Sequence, residues 1–208
     1  MKNLAIAIGV LIVVIVFAFV FVKGNSKKDD TLIPSPVPIS SPQLEFFKRQ
    51  GSQSAMNQQA PFELLKPEQI EGKKVKITTA KGNIVFSLYG DAPIAASNFI
   101  SLVGRGFYNG LTFHRREEGF VIQGGDPRGN GTGGPGYQFI DEKVTRDYKR
   151  GIVAMANSGP NTNGSQFFIM LADAPLPKNY TIFGNVIEGM DVVDKIAVGD
   201  KMTTVVVE

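Results

Sequence analysis

His114 is the only imidazole in the 208-residue chain, and Arg115 follows it directly. An imidazole is the natural proton acceptor near neutral pH. No G-x-S-x-G elbow stands anywhere to give it a nucleophile, however. Side chains alternate along a strand, so His114 and Arg115 point to opposite faces. His114 reads as a hydrogen-bonded structural residue rather than a general base. Cysteine is absent, excluding disulfides, thiolate metal sites, a cysteine nucleophile and the lipidated cysteine of a bacterial lipoprotein. One histidine excludes a multi-histidine metal site.

Two glycine patterns half match nucleotide-binding signatures. Gly129-Asn130-Gly131-Thr132-Gly133-Gly134 satisfies G-x-G-x-x-G. That fingerprint must open a helix, and Pro135-Gly136-Tyr137 follow instead. Gly159 and Gly164 have phosphate-loop spacing, but the Lys-Ser/Thr that meets the phosphates is missing. No nucleotide and no other cofactor is expected, and these glycines serve loops. The 22 basic and 19 acidic residues give a net charge of +3. The excess is not gathered into a stripe or tail, so nucleic acid is not an expected partner.

The elements that position these residues follow from periodicity. Val75 to Thr79 and Ile84 to Leu88 alternate around the turn Ala80-Lys81-Gly82-Asn83 and predict a hairpin. Asp91 and Pro93 offer a helix start and Gly104 a stop. Further strands are expected at Leu111 to Arg115, Phe120 to Gln123, Ile152 to Asn157, Phe167 to Leu171, Ile182 to Val186 and Thr203 to Val207. A second helix is expected at Met190 to Ile196. Many strands with two helices suggest a closed β-barrel with helices covering its ends.

Before this domain, Leu4 to Val22 are nineteen uncharged, almost wholly apolar residues, long enough to span a bilayer. A cleaved signal sequence is the alternative, with secretion as its consequence. The apolar run of a signal sequence is normally shorter and ends in small residues. Pro34, Pro36, Pro38 and Pro42 then mark a semi-rigid spacer, and a short helix fits Leu44 to Lys48. The organisation expected is an anchor over 1–23, a Pro/Ser/Gln-rich linker over 24–71 and a domain over 72–208. The short amino-terminal tail, single anchor and spacer place that domain on the extracytoplasmic side of a bacterial plasma membrane.

Phe113-His114-Arg115, Gly119-Phe120-Val121-Ile122-Gln123-Gly124-Gly125-Asp126, Met155-Ala156-Asn157, and the run from Gly159 to Phe168 stand in the order and spacing of the cyclophilin signatures. Asn98-Phe99, Gly106 to Gly110 and Phe183-Gly184 agree with them. Residues 72 to 208 thus resemble a cyclophilin. The resemblance implies a mostly β fold, an eight-stranded antiparallel closed barrel capped by two α-helices. It also implies peptidyl-prolyl cis-trans isomerase activity on proline-containing polypeptides, with a peptide-binding or chaperone module of little catalysis as the alternative.

Carried over by position, the resemblance makes Arg115 catalytic and puts Phe120, Val121, Phe168 and Leu176 around the proline ring. Gln123, Ala156, Asn157 and Gln166 line the groove, and Tyr180 stands at its edge where many relatives carry His. Parity agrees in part: Val121 and Gln123 share a face, as do Gln166 and Phe168, while Ile122 and Phe167 turn to the core. Two departures stand out. Arg116-Glu117-Glu118 replace apolar residues after Arg115, so a carboxylate can pair with the guanidinium and compete with substrate. Pro175 stands before Leu176 where cyclosporin-sensitive relatives carry Trp, so weak or no cyclosporin binding is expected.

Overall fold

The computed structural model describes residues 61–208. The anchor, the Pro-rich spacer and the short helix expected at Leu44 to Lys48 lie outside the described residues. No helix among the described residues is long and apolar enough to cross a membrane.

A single turn, α1 (Pro67–Ile70), opens the described chain. Proline at its first position fits because that N–H needs no helical partner. Ile70 is buried in the core. The hairpin follows as β1 (Lys74–Thr79) and β2 (Gly82–Leu88), paired in register from Lys74–Ser87 to Thr79–Gly82. Then come α2 (Pro93–Gly104), β3 (Arg115–Glu117), β4 (Val121–Gly124), β5 (Ile152–Met155), β6 (Phe167–Met170), β7 (Ile182–Glu188), α3 (Met190–Lys195) and β8 (Thr204–Val207).

The eight strands form one antiparallel sheet in the order β3-β4-β6-β5-β7-β2-β1-β8. It curls as a half-barrel. The edge strands β3 and β8 are not ladder partners, and the full closure expected from the sequence is reduced to an isolated bridge, Thr112–Lys201, between the segments that lead into them. The strand expected at Leu111 to Arg115 accordingly shifts to Arg115–Glu117. The Phe113 N–H bonds the Asp200 carbonyl at 2.9 Å and the Met202 N–H bonds Leu111 at 2.9 Å, so these backbone groups serve the bridge rather than a long ladder.

Both faces of the central strands are apolar and buried, each for a different reason. One face packs the main core, where Phe86, Phe99, Tyr108, Phe167 and Phe183 form a run of edge-on and stacked rings. Such pairs add about 0.5–1.5 kcal/mol each beyond area burial. The other face carries a smaller cluster of Val121, Tyr148, Ile152, Ala154, Phe168, Met170 and Ile182.

The helix α2 begins at Pro93 and ends at Gly104, as the sequence implies, but Asp91 does not cap it. Asp91 pairs with Arg146 instead. The free N–H groups of Ile94 and Ala95 donate to the two oxygens of Glu142, both at 2.8 Å, from a loop 47 to 48 residues away. A carboxylate at a helix amino terminus also meets the positive end of its dipole. Burial pushes the Glu142 carboxyl above its ordinary value, the two N–H donors pull it back in part, and nearby Asp91 adds to the rise.

Because the folded pKa is raised, the native state holds more protons than the unfolded chain between the ordinary and the raised value. This component of stability is therefore greatest below the ordinary value and declines as pH rises through that window. Glu142→Gln should remove the component, seen as a flatter dependence of Tm on pH above the ordinary glutamate range. Glu142→Ala should cost about 1–2 kcal/mol in denaturant unfolding, the usual scale for a lost helix cap.

Candidate functional site

Register brings the chemistry together. Arg115 on β3 faces Gln123 on β4, Gln123 faces Phe168 on β6, and Phe168 faces Ala154 on β5. Residues directly opposite across a ladder share a face, so a guanidinium, an amide and an apolar wall stand in one row across four strands. Val121 is two residues before Gln123 and lies on the same side, whereas Ile122 and Phe167 are fully buried in the main core.

The polar half of the row is a chain of hydrogen bonds. Arg115 Nη1 donates to Gln123 Oε1 at 2.8 Å. Gln123 Nε2 donates to Gln166 Oε1 at 2.9 Å. Gln166 Nε2 donates onward to the carbonyls of Gly131 and Gly133 at 3.0 and 2.8 Å. Each amide is thereby oriented by its neighbour.

Asp126 anchors the receiving loop. Its carboxylate accepts the N–H groups of Arg128 at 2.7 Å and Asn130 at 3.0 Å, and that of Gly131 as well. Burial alone would raise its pKa, but these backbone donors outweigh it and hold the carboxyl below its ordinary value. At the other end of the run, Gly125 has φ +83°, and a Cβ there would collide with the Ser165 carbonyl. Only glycine lets the chain leaving β4 pass this close to the segment that leads through Gln166 into β6.

The departure after Arg115 has a definite geometry. Along β3, residues 115 and 117 share one face and 116 and 118 lie off it. Glu117 pairs with Arg115 through Nε and Nη2. Glu118 pairs with Arg116, whose Nη1 also reaches the Ile196 carbonyl at 2.9 Å. A guanidinium carries five N–H bonds. Two go to Glu117 and one to Gln123, leaving one on each terminal nitrogen.

The apolar half lies beside it. Phe120, Leu176, Tyr180 and Ala156 are partly buried against the cluster that contains Val121 and Phe168. The Phe168 and Tyr180 rings meet edge to face at 5.7 Å and 83°. Tyr180 is held from both sides of its peptide by Tyr148. The Tyr148 hydroxyl donates to the Tyr180 carbonyl at 2.9 Å and accepts the Tyr180 N–H at 3.1 Å. Burial raises the Tyr148 pKa, partly offset by the bond to that carbonyl. Tyr148 was not foreseen, since it stands in an irregular loop where no periodicity marks it. Asp126 was visible only as the end of a matched segment.

Asn157 is turned differently from a simple groove-lining side chain. Its Nδ2 donates to the Asn179 carbonyl at 2.8 Å. Its own backbone N–H and carbonyl have no partner among the described residues. Ala156, just before it, donates its N–H to Gln166 at 2.9 Å. The main chain at 157 is thus a free strand edge one residue beyond the ladder.

His114 corrects an expectation. Both ring nitrogens are buried without a hydrogen-bond partner among the described residues. Adjacent Gln166 spends its amide on Gln123 and the loop. Burial lowers the His114 pKa, the charge of Asp126 raises it in part, Arg115 lowers it further, and the adjacent Gln166 side chain, though not aligned for a good hydrogen bond, pulls it back up in small part. A neutral ring is the form compatible with that position.

Residues 74–207 match the family described as cyclophilin type peptidyl-prolyl cis-trans isomerase/CLD. A Helicobacter pylori peptidyl-prolyl cis-trans isomerase is 46% identical over 151 residues, 70% of this chain and 93% of the relative. A probable peptidyl-prolyl cis-trans isomerase B of Mycobacterium tuberculosis is 43% identical over 141 residues, 59% of this chain and 46% of the relative. Among solved structures, a Cryptosporidium parvum cyclophilin type isomerase, crystallised in the presence of the dipeptide Ala-Pro, superimposes with a TM-score of 0.61. It is 36% identical and covers 65% of this chain and 98% of that one. With a curled eight-stranded sheet, the match over residues 74–207 and relatives of this identity, the chain belongs to the cyclophilin family and is a peptidyl-prolyl cis-trans isomerase.

Proposed function

We propose that Arg115 is the catalytic donor, and that Phe120, Val121, Phe168 and Leu176 receive the proline ring with Tyr180 at its edge. The observation that carries this reading is the shared row of Arg115, Gln123 and Phe168, which sets the two free guanidinium hydrogens beside an apolar wall. The Ala-Pro dipeptide present with the Cryptosporidium relative supports a prolyl ligand for this fold.

A prolyl amide resists rotation because its nitrogen shares its lone pair with the carbonyl, giving a barrier of about 18–20 kcal/mol. In the twisted form the nitrogen regains that pair and can accept a hydrogen bond. The enzyme must bind this form better than either planar isomer, and each ~1.4 kcal/mol of preference is tenfold in rate. Arg115 supplies the donor to the twisted nitrogen, and the ring pocket holds the proline still. The unpartnered backbone of Asn157 pairs with the client main chain, while Gln123 and Gln166 fix the guanidinium and border the groove. Rotation is thereby confined to one bond, without any covalent bond being broken.

Glu117 has a positioning part in this scheme. Its carboxylate holds the inner edge of the Arg115 guanidinium and leaves the outer hydrogens directed away from it. Since Arg115 is 43% exposed and Glu117 50%, the pair is a surface one, worth about 0.2–1 kcal/mol. It steers the donor without immobilising it.

The apolar stretch from Leu4 to Val22 supports a membrane anchor. With the Pro-rich spacer after it, it supports an extracytoplasmic position for the isomerase domain, facing exported clients. Digestion of the domain by added protease in intact or outer-membrane-permeabilised cells is the expected result. Digestion only after lysis overturns the topology, and a mature amino terminus beyond residue 23 overturns the anchor in favour of a cleaved signal.

Pro175 supports weak cyclosporin binding, because it offers neither an indole N–H nor an aromatic face beside Leu176. Pro175→Trp should improve drug affinity by about 1 kcal/mol or more in a calorimetric titration. Tight binding by the unaltered protein would mean that the segment around Leu176 is wrongly aligned.

Arg115→Ala should lower turnover by a hundredfold to a thousandfold, about 2.7–4 kcal/mol, with peptide affinity largely kept. Arg115→Lys should restore little, because an ammonium lacks the planar fork. Phe168→Ala should weaken ground-state binding and catalysis alike. Glu117→Ala should reduce kcat by about two- to fivefold with KM nearly unchanged, and Glu117→Gln should recover most of that loss. NMR exchange on a short prolyl peptide, with calorimetry for affinity, reads all of these. A folded Arg115→Ala protein that keeps more than about a third of wild-type efficiency, against the loss of one transition-state donor, transfers the site to peptide binding rather than catalysis.

A further inference from the structure

The Gly131 and Gly133 carbonyls that receive the Gln166 amide lie in a stretch, 129–136, in which five of eight residues are glycine. Glycine gives up more backbone freedom on folding than any other residue, so such a stretch holds its carbonyls in place only when both of its ends are fixed. Asp126 fixes the first end through the N–H groups of Arg128, Asn130 and Gly131. The second end runs from Tyr137 to Phe139. Both of its rings are covered by Phe62, which lies outside the region 74–207 that matches the family.

The Phe62 ring is 6.0 Å from Tyr137 and 6.1 Å from Phe139, meeting the latter edge-on at 78°. Its own segment is tied down on either side. Arg105 Nη2 donates to the Pro61 carbonyl at 2.7 Å, and the Leu65 N–H donates to Ser97 Oγ at 2.9 Å. Beyond the rings, both partners of Phe62 reach the chain that leads into Gln166. Phe139 gives its N–H to the Asn163 carbonyl at 2.9 Å and accepts the Asn163 N–H at 3.2 Å. The Tyr137 hydroxyl donates to Asn98 Oδ1 at 2.6 Å, and Asn98 Nδ2 donates to the Gly164 carbonyl at 2.8 Å. The two rings under Phe62 are therefore bonded to the segment carrying the Gln166 donor while they end the loop carrying its acceptors.

We propose that Phe62 is a positioning residue for the isomerase site. By clamping Tyr137 and Phe139 it keeps the Gly131 and Gly133 carbonyls within reach of Gln166 and so, through Gln123, keeps the Arg115 guanidinium in place. The proposal rests on the reading of Arg115 as the catalytic donor. Phe62 is only 7% exposed, so a client meets almost none of its ring and its effect passes through the loop. An interaction that aims a transition-state donor, without touching the bound peptide, acts on turnover rather than on affinity.

The test uses the full chain in detergent, with kcat from NMR exchange on a short prolyl peptide, Kd from calorimetry and Tm from circular dichroism. Phe62→Ala should lower kcat by about tenfold, within the range for a displaced catalytic group, and change Kd by less than about twofold. Phe62→Leu, which keeps much of the apolar volume, should recover most of the loss. The side-chain amide resonances of Gln166 and the Nε–H resonance of Arg115 should move in Phe62→Ala and return in Phe62→Leu. Adding Phe62→Ala to Gln166→Ala should cost no further kcat, because both changes act through one amide. Ser97→Ala, which loosens the extension at its other attachment, should lower Tm and leave kcat and those resonances in place. If Phe62→Ala does not fold, Phe62→Val and Phe62→Leu make the same comparison in graded form, and equal kcat in both and in the unaltered protein overturns the proposal. Full additivity with Gln166→Ala, or a kcat loss in Ser97→Ala as large as that in Phe62→Ala, overturns positioning in favour of general stability. A loss confined to Kd overturns it in favour of a direct client contact. Resonances that move as expected while Phe62→Ala and Gln166→Ala both keep full turnover uphold the clamp and refute the Arg115 reading on which catalysis rests.

Discussion

The structure depends on one constraint, the antiparallel register of β3, β4, β6 and β5. Side chains in a sheet have a period of two, so a slip of one residue would send Arg115 and Phe168 to the wrong face while Ile122 and Phe167 moved out of the core. The register is held from the buried side. Phe167 packs among Phe99, Tyr108 and Phe113, and Gly125 permits a close approach that a residue with a side chain would forbid. The outer face therefore inherits its geometry from packing in which the site residues take no part.

Across that face the hydrogen bonds run in one direction, from Arg115 through Gln123 and Gln166 into the Gly131–Gly133 loop. Asp126 closes the run by holding the loop from beneath with backbone bonds. Each member is oriented by the next, which makes the guanidinium the exposed end of a rigid chain rather than a flexible arm. Glu117 adds a carboxylate at that end, where the family resemblance leads one to expect an apolar residue. Its cost is small because both charges remain partly in water.

Long-range pairings complete the domain. Glu142 caps a helix that starts almost fifty residues earlier, and Tyr148 clamps Tyr180 from across a loop. Phe62 brings the amino-terminal extension against Tyr137 and Phe139. Each uses a residue from an irregular segment to satisfy a group in a regular one. Such contacts let loops be ordered without forming ladders of their own.

The amino-acid sequence by itself determined the hairpin of β1 and β2, the limits of α2, the opposed faces of Ile122 and Gln123, and the family, because these rest on local periodicity, helix signals and contiguous motifs. It could not determine that β3 begins at Arg115, since whether residues 111 to 114 ladder or merely bridge depends on where Asp200 to Met202 lie. Nor could it show that Glu117 rather than Glu118 meets Arg115, that the Asn157 amide is spent on the Asn179 carbonyl, or that the His114 ring nitrogens are buried. Those outcomes turn on strand phase and on partners 22 to 80 residues away. Residue type states what a group can bond. Only the tertiary structure decides which of those bonds the protein makes and which groups it leaves unpaired, because partners distant in the chain are brought within reach by packing alone.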